Sequence, residues 1–536
     1  MARGTDATDA TGATDEPGKR RASDGTSGAN DAPSYSDGDA GLELILEEVE
    51  TVIDPLSESL AFGPAMGIGV AGGPLIPLPA DEAAPGSVGT DNTLKAGLRQ
   101  AGPVAVAGMA VNAAAALVVV AVARLLSSRS YGELAQLLGL FFILSMPGSA
   151  VLVGVVRRVT GLQTAGHVDL VRPWVARVHR ICMAALAVEL VLVLLLQGWI
   201  AHQLGLSGGL GVVLILMAAG IWILLCVDRG LLQAHRSYGS LATNLLVEGG
   251  VRTVLVISLV VVGAGVAGYA LGVLVSEIVA TAHAHWLARR AWADPTTAPV
   301  VEDEVAGRVG DVPVAESLAR RKLMADVSAA FIGLALLGLL QNVDVILLGR
   351  LDHAQVGPYA AISVASKALV FGALALGAYL LPEATIRWNE GGHAIRQFGV
   401  TLLFLAVPAA LLLGIAVFVP EQFLTIVFSA RLSTAASAFA PLVLAMMCLS
   451  FTVLVTNYLF GTGSRWIVLL LAAGAALAVG LITAADGRPQ ATAWADLIVQ
   501  GVLAAGMATS FFAIHRRHRG QHWTAREGWR RIARRA

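Results

Sequence analysis

Charged residues and cysteines are both scarce in this sequence. Only 14% of the 536 residues are Asp, Glu, Lys or Arg, against about 25% in soluble proteins, and 56% are hydrophobic. This composition excludes an ordinary soluble protein and predicts an all-α polytopic membrane protein. The three cysteines, Cys182, Cys226 and Cys448, fall within apolar segments and form neither a disulfide framework nor a CxxC metal spacing. We expect them to act only in packing.

Signatures of targeting and catalysis are also missing. Met1 is followed by a polar, acidic stretch, which is unlike a cleavable signal peptide. No HExxH, Walker A or GxSxG motif stands in a suitable context. We therefore predict no cofactor and no metal site.

The charge that is present is unevenly distributed. Residues 1–94 contain 17 acidic and 4 basic residues, although the whole chain has a formal net charge of −1. Residues 1–40 are mostly Asp, Gly, Thr, Ala and Ser, which predicts disorder. In Leu42–Ile53, apolar residues fall on one helical face and the glutamates lie largely off it. This pattern predicts either a transient helix or a docking helix for a cytoplasmic protein partner.

Long apolar runs dominate the chain after Leu98. Each run is long enough to cross a bilayer, which takes about 20 residues, and each must satisfy its backbone hydrogen bonds internally as a helix. We predict twelve transmembrane helices, at about 98–123, 133–156, 181–202, 208–227, 241–262, 265–287, 324–349, 357–381, 397–419, 436–459, 465–484 and 493–514.

Basic residues mark one side of the membrane. If twelve helices alternate in direction, the segments rich in Arg and Lys all fall on the same side: 157–180, 228–240, 288–322, 382–396 and 516–536. By the positive-inside rule, this side is cytoplasmic, so both termini are predicted to lie in the cytoplasm. The membrane itself is predicted to be the cytoplasmic membrane of the cell.

A short internal repeat relates the two halves of the membrane region. Arg124 and Tyr131-Gly132 correspond to Arg350 and Gly357-Pro358-Tyr359, about 226 residues later. Both copies begin in the cytoplasm, so the repeat is parallel, as in transporters that place the substrate path between two rocking halves. The predicted regions are an acidic tail (1–94), a six-helix bundle (95–290), a linker (291–322), a second six-helix bundle (323–515) and a basic tail (516–536).

The segments 122–161 and 343–382 contain these repeated turns and resemble polysaccharide flippases of the MOP exporter superfamily, which also holds the MATE drug exporters. The segment 228–257 is similar to the junction of the fourth and fifth helices in that family. The resemblance covers about 98–515. It implies two six-helix lobes in a V around a central cavity, with a lipid-linked oligosaccharide moved from the inner to the outer leaflet. Lipid II flippases typically carry two further C-terminal helices, which counts against a peptidoglycan role.

A pyrophosphate-linked sugar needs a polar, partly cationic path, so ionisable residues within the helices are the candidate site. A charge at bilayer depth costs at least about 2.5–3.5 kcal/mol and usually faces a protein interior or water. Lys367 is predicted near mid-membrane, where it either attracts phosphate or pairs statically with Asp344. Arg252 and Glu248 form either the inner rim of the cavity or a local ion pair. The predicted substrate-cavity residues are Arg252, Glu248, Gln341, Asn342, Asp344 and Lys367. The alternative for Gln341 and Asn342 is that they join helices by hydrogen bonds.

Two carboxylates are predicted to couple transport to an ion gradient. Glu277 lies in the middle of the sixth helix with no neighbour in sequence to neutralise it. Because burial disfavours an isolated charge, such a group is suited to binding and releasing a proton. Glu189 in the third helix follows the same pattern. The alternative for both is a protonated packing residue, and His283 and His285 are predicted to be solvated at the interface.

Three other functions are alternatives to the flippase. The first is a cation-coupled drug or small-molecule exporter, which has the same MATE-like fold. A membrane glycan polymerase or ligase needs catalytic groups in a large outer loop, and the longest one, about 420–435, has only Glu421 and Arg431 as charged residues. We therefore predict that the chain is not an enzyme. A scaffold that gathers partners through the acidic tail is the third alternative. The basic C-terminus fits membrane lipids rather than nucleic acid.

Overall fold

The computed structural model describes residues 90–164, 166–292, 313–389, 395–461 and 466–533. The proposed docking segment Leu42–Ile53 and most of the linker 291–322 lie outside these residues. Two short 3-10 segments, Val168–Leu170 and Ala430–Ala438, accompany the α-helices. In chain order the helices of the described part are α1 (Thr90–Leu125), α2 (Ser128–Ser145), α3 (Gly148–Thr164), α4 (Val171–Leu204), α5 (Leu210–Ala234), α6 (Tyr238–Val261), α7 (Gly265–Ala291), α8 (Pro313–Leu351), α9 (Val356–Asn389), α10 (Ile395–Phe418), α11 (Pro420–Val427), α12 (Phe439–Gly461), α13 (Ile467–Ala484) and α14 (Pro489–Ala533).

The predicted number of spans is confirmed. Within the described ranges, twelve helical segments are long and apolar enough to cross a membrane, and each overlaps one predicted span. The second span is divided, because α2 ends at Ser145 and α3 begins at Gly148. Pro147 lies in the turn between them, where its missing N–H and its ring interrupt the helix.

Apolar side chains cover the outer surface of the bundle. On α4, Leu195 and Trp199 are exposed, and on α10, Phe404 and Phe418 are exposed. Soluble proteins rarely expose large contiguous apolar patches, so these surfaces are suited to lipid. With its twelve spans, the chain is a multi-pass membrane protein.

Each half of the chain forms one helical bundle. In the first half, α5 packs against α2, α3, α4 and α7, while α6 packs against α1 and α7. In the second half, α12 packs against α9, α10 and α14, and α13 packs against α8 and α14. The two bundles meet mainly through α2, which packs against α8 and α9.

Some helices extend beyond their predicted ends. The helix α14 continues to Ala533, through most of the predicted basic tail, and α5 continues to Ala234. The extension of α5 corrects the placement of Asp228 and Arg229, which the sequence analysis put in a basic loop. Both side chains are buried within the helix, at 1% and 3% exposure. Their burial is tolerated because other helices supply partners for both of them.

Candidate functional site

The two halves meet closely where α2 and α9 begin. A Cβ atom added to Gly132 would overlap Val356 and lie 2.8 Å from the backbone nitrogen of Gly357. A Cβ atom on Gly357 would overlap the backbone of Ser128. Only glycine permits backbones to approach this closely. The repeated turns at Tyr131-Gly132 and at Gly357 therefore face each other across the junction of the two halves.

The contact continues along α2 and α8. A Cβ atom on Gly349 would lie 2.5 Å from Nε2 of Gln136, and one on Gly139 would lie 3.3 Å from Cβ of Asn342. Gly338 of α8 lies against Met146, at the end of α2. Glycines on both helices thus bring α2 and α8 together over several turns.

Two arginines add a second junction at the same end of the bundle. Arg124, at the end of α1, donates hydrogen bonds to the backbone carbonyls of Ile426 and Val427, the latter at 3.4 Å. In return, Arg431 donates from Nη2 to the carbonyl oxygen of Arg124 at 2.9 Å. The end that carries the α1–α2 and α8–α9 turns, opposite the basic loops, is therefore held shut; we call it the joined end.

Four buried charged residues form an ionic cluster in the first half, which we call the first-half cluster: Arg229 on α5, Glu248 and Arg252 on α6, and Glu277 on α7. Arg252 donates from Nη2 to Oε1 of Glu248 at 2.5 Å and also to Oε1 of Glu277. Arg229 donates to the other carboxylate oxygen of Glu248. All four side chains are between 0% and 4% exposed. Two positive and two negative charges thus balance within the bundle.

Neutral side chains complete the hydrogen bonding of the first-half cluster. Arg229 donates from Nε to Oδ1 of Asn244 at 2.8 Å, and Asn244 donates to the carbonyl oxygen of Ala280 at 2.8 Å. Arg252 donates from Nε to Oγ of Ser276 at 3.2 Å. A buried ion pair stabilises a protein only when its remaining polar atoms are also bonded, and this cluster largely meets that condition.

This geometry changes the interpretation of Glu277. The sequence shows no neighbour that neutralises its charge, but α6 supplies Arg252 from 25 positions away. Within this cluster, Oε2 of Glu277 and Nη1 of Arg229 have no hydrogen-bond partner among the described residues. Glu248 and Arg252 form the predicted ion pair at i and i+4 and extend it to α5 and α7. All four residues lie among helices of the first half.

A second set of buried polar residues, the second-half cluster, is centred on Asp344 of α8, Lys367 of α9 and Asp496 of α14. The Nζ atom of Lys367 lies 3.7 Å from Oδ1 of Asp344 and donates to Oδ1 of Asn342 at 3.2 Å. Ser363 donates to Oδ2 of Asp344 at 3.3 Å. Asp344 and Asp496 are fully buried, and Lys367 is 7% exposed. The ion pair between Lys367 and Asp344, one of the two predicted alternatives for Lys367, is therefore present in the structure.

Asp496 is the member of this cluster that the sequence analysis missed. Its carboxylate interacts electrostatically with Asp344 and Lys367, and its Oδ1 accepts a hydrogen bond from Gln500 at 3.1 Å. Gln500 also donates to the carbonyl oxygen of Leu340 at 3.2 Å, which ties α14 to α8. Two carboxylates and one ammonium group are therefore buried in the same cluster. When all three groups are ionised, their net charge is −1, which one further cation, such as a proton or a metal ion, would neutralise.

The remaining predicted residues are placed separately. Both amide atoms of buried Gln341 have no hydrogen-bond partner in the described part of the chain. The half-exposed Glu189 of α4 packs against Gly220 of α5, where an added Cβ would lie 2.9 Å from Cδ of the glutamate. His283 lies 3.4 Å from Asn244, and His285 lies 3.2 Å from Asp228. Simple solvation of the two histidines is therefore incomplete, because both contact buried polar residues.

Comparison with solved structures shows that this arrangement of helices has a known fold. The chain matches the lipid II flippase MurJ, in its inward closed conformation, with a TM-score of 0.55 at 10% identity over 76% of this chain and 87% of that chain. The chain shares the fold of that flippase. The predicted resemblance in fold to such a flippase is thereby confirmed, as is the all-α, twelve-span arrangement.

Two further neighbours are less similar. An inward-facing multidrug resistance MATE family transporter matches with a TM-score of 0.49 at 14% identity, over 75% of this chain and 99% of that chain. A MOP superfamily transporter from Pyrococcus furiosus matches with a TM-score of 0.43 at 14% identity, over 87% and 91%. These neighbours are transporters or flippases rather than enzymes. No protein-family model and no curated protein matches the sequence.

Proposed function

We propose that the protein moves a lipid-linked oligosaccharide, a precursor of a surface polysaccharide, across the cytoplasmic membrane by alternating access of its two helical bundles. The observation that carries this proposal is the fold shared with the lipid II flippase. At this level of identity the fold indicates how the halves are arranged, and the choice of cargo is our inference. Both termini are proposed to be cytoplasmic, in accordance with the basic loops.

The second-half cluster is our proposed driving element. With Lys367, Asp344 and Asp496 all charged, the cluster carries one excess negative charge, which is costly at bilayer depth. Binding of one cation neutralises it, and losing that cation restores the excess. Because a ligand shifts a conformational equilibrium only through different affinities for the two states, cation binding would favour one arrangement of the bundles. Glu277 and Glu189 remain proposed coupling groups, and Arg252, Glu248, Gln341 and Asn342 remain proposed cavity residues.

The test of this function uses the purified full-length protein in liposomes. The vesicles contain a polyprenyl-pyrophosphate oligosaccharide with a fluorescent label on the sugar, and a membrane-impermeant reductant bleaches only the label that faces outward. We expect the protected half of the signal to disappear with the protein and to persist in empty liposomes. Bleaching that stops at the outer leaflet in both samples would contradict the proposal.

The drug exporter is the alternative that this assay separates. The same vesicles, loaded with an organic cation dye and given a proton gradient, report small-molecule transport. Dye movement without movement of the labelled glycan would replace the flippase with a small-molecule exporter. Movement of the glycan alone supports the flippase.

A further inference from the structure

Three helices of the first half bring two histidines and an aspartate together near the basic loops. The Nε2 atom of His179 on α4 lies 3.1 Å from Oδ1 of Asp228 on α5, and Nδ1 of His285 on α7 lies 3.2 Å from the same oxygen. These three atoms all lie within 4.8 Å of one another. The two imidazole rings meet edge to face, with their centroids 5.3 Å apart.

The hydrogen bond made by the other ring nitrogen of His179, Nδ1, indicates which of the two nitrogens carries the proton. Its Nδ1 lies 3.1 Å from the carbonyl oxygen of Val175, an acceptor, so Nδ1 carries a proton. In a neutral ring, Nε2 then presents a lone pair to the Asp228 carboxylate, which is also an acceptor. Two acceptors at 3.1 Å repel each other unless a positive charge lies between them. That charge is either a second proton on His179 or a metal ion.

Two observations favour a metal ion. The first is that Oδ2 of Asp228 is buried and has no hydrogen-bond partner in the described part of the chain, so the carboxylate keeps a free ligand atom. The second is the far-side bond of His179 to a backbone carbonyl, which is how metal-bound histidines are usually oriented. His285 has a side chain that is 43% exposed, which provides an entry path.

Two of the three distances between ligand atoms are close to those around a tetrahedral ion. Zinc binds histidine nitrogen and carboxylate oxygen at about 2.0–2.2 Å, so neighbouring ligand atoms in a tetrahedron lie about 3.3–3.5 Å apart. The observed separations of 3.1 Å and 3.2 Å need only a small outward movement to reach that value. We propose that His179, Asp228 and His285 form a binding site for Zn²⁺ or a similar divalent transition metal ion, with water as the fourth ligand.

The site ties a peripheral helix to the interior of the first half. The helix α4 is mostly exposed and packs chiefly on α5, whereas α5 and α7 pack closely on each other. Asp228 directly precedes Arg229, which belongs to the first-half cluster. A bound metal ion therefore holds α4 in place and fixes the turn of α5 that carries Arg229. This role is independent of which cargo the protein transports.

The test measures zinc binding to the full-length protein in detergent. The protein is purified without a histidine tag, stripped with a chelator and dialysed against Zn²⁺, and bound metal is counted by elemental analysis. We expect about one Zn²⁺ per chain, in keeping with the one three-ligand group found among the described residues. Each of His179→Ala, Asp228→Asn and His285→Ala is expected to weaken binding at least ~10-fold, since even loss of an outer partner has that effect. Co²⁺ in place of Zn²⁺ is expected to give a visible absorption band that Asp228→Asn removes.

The control and the contrary result are built into the same series. His202→Ala changes an exposed histidine at the opposite end of α4 and is expected to leave zinc binding unchanged. Because Asp228 is buried and its replacement can disturb folding, the partly exposed His285 provides the decisive variant. The metal site is refuted if His285→Ala binds zinc as tightly as the unchanged protein. It is also refuted if the unchanged protein binds no zinc. In either case the charge between the side chains is a proton.

Discussion

Replacing Lys367 with methionine is expected to abolish transport of the labelled glycan and to lower the thermal stability of the protein. Methionine keeps the length of the side chain but leaves Asp344 and Asp496 buried together with no ammonium group between α8, α9 and α14. Removing one partner of a buried ion pair costs about 3–5 kcal/mol in the free energy of unfolding. The liposome assay measures the loss of transport, and the melting temperature in detergent measures the loss of stability.

A double variant separates the two effects. Lys367→Met with Asp344→Asn removes one charge of each sign and returns the second-half cluster to its original net charge. We expect this variant to recover most of the melting temperature while transport stays lost, because the net charge is kept but the cation would find only one carboxylate, that of Asp496, instead of two. Recovery of both properties would make the Lys367–Asp344 pair purely structural. Normal transport by Lys367→Met alone would remove the second-half cluster from the mechanism.

Replacing Arg252 with methionine is expected to have the largest effect on stability in the first half. Arg252 bonds both Glu248 and Glu277, and after its removal only Glu248 keeps a basic partner, Arg229. The expected loss is again about 3–5 kcal/mol in the free energy of unfolding, measured as a fall in melting temperature. The matched control is Arg129→Ala, because Arg129 is 66% exposed in its pair with Glu133, and exposed pairs contribute about 0–1 kcal/mol.

A compensating change checks the reason for this loss. Arg252→Met with Glu277→Gln removes the unpaired carboxylate as well, and we expect it to be more stable than Arg252→Met alone. If Arg252→Met melts at the temperature of the unchanged protein, the carboxyl group of Glu277 does not need the guanidinium of Arg252 to offset a charge. The arginine would then be dispensable for the fold, contrary to the balance of charges described above.

The number and order of spans follow from the sequence because a bilayer imposes about 20 apolar residues on each helix. The sequence does not give the rotation of each helix, which decides whether a charge faces a partner. Glu277 appears isolated in sequence, yet Arg252 reaches it from the neighbouring helix. The ion-pair alternative for Glu248 and Arg252 was predictable because i and i+4 positions share a helix face.

Residues near the ends of spans were the hardest to place. Asp228 and Arg229 follow an apolar run and precede a basic segment, so the positive-inside rule assigns them to a loop. In the structure the helix continues, and each side chain finds its partners on other helices. Asp496 lies within a predicted span, and its charge in apolar surroundings was the signal that could have identified it. Its partners again come from helices distant in sequence.

We expect transport to require that the two bundles separate at the joined end and close again. Gln136 of α2 and Gly349 of α8 lie in contact across that junction, with 2.5 Å between Nε2 and an added Cβ. Cysteine at position 136 is shorter than glutamine, which removes the overlap of that side chain with a Cβ atom at position 349. The test uses Gln136→Cys with Gly349→Cys in a chain whose Cys182, Cys226 and Cys448 are replaced by alanine, and each single cysteine variant is its control.

The deciding measurement is the rate of glycan movement in liposomes with this cysteine pair oxidised and then reduced. We expect oxidation to stop movement in the double variant only and a reductant to restore it. Movement at an unchanged rate while the two helices are cross-linked would contradict the account.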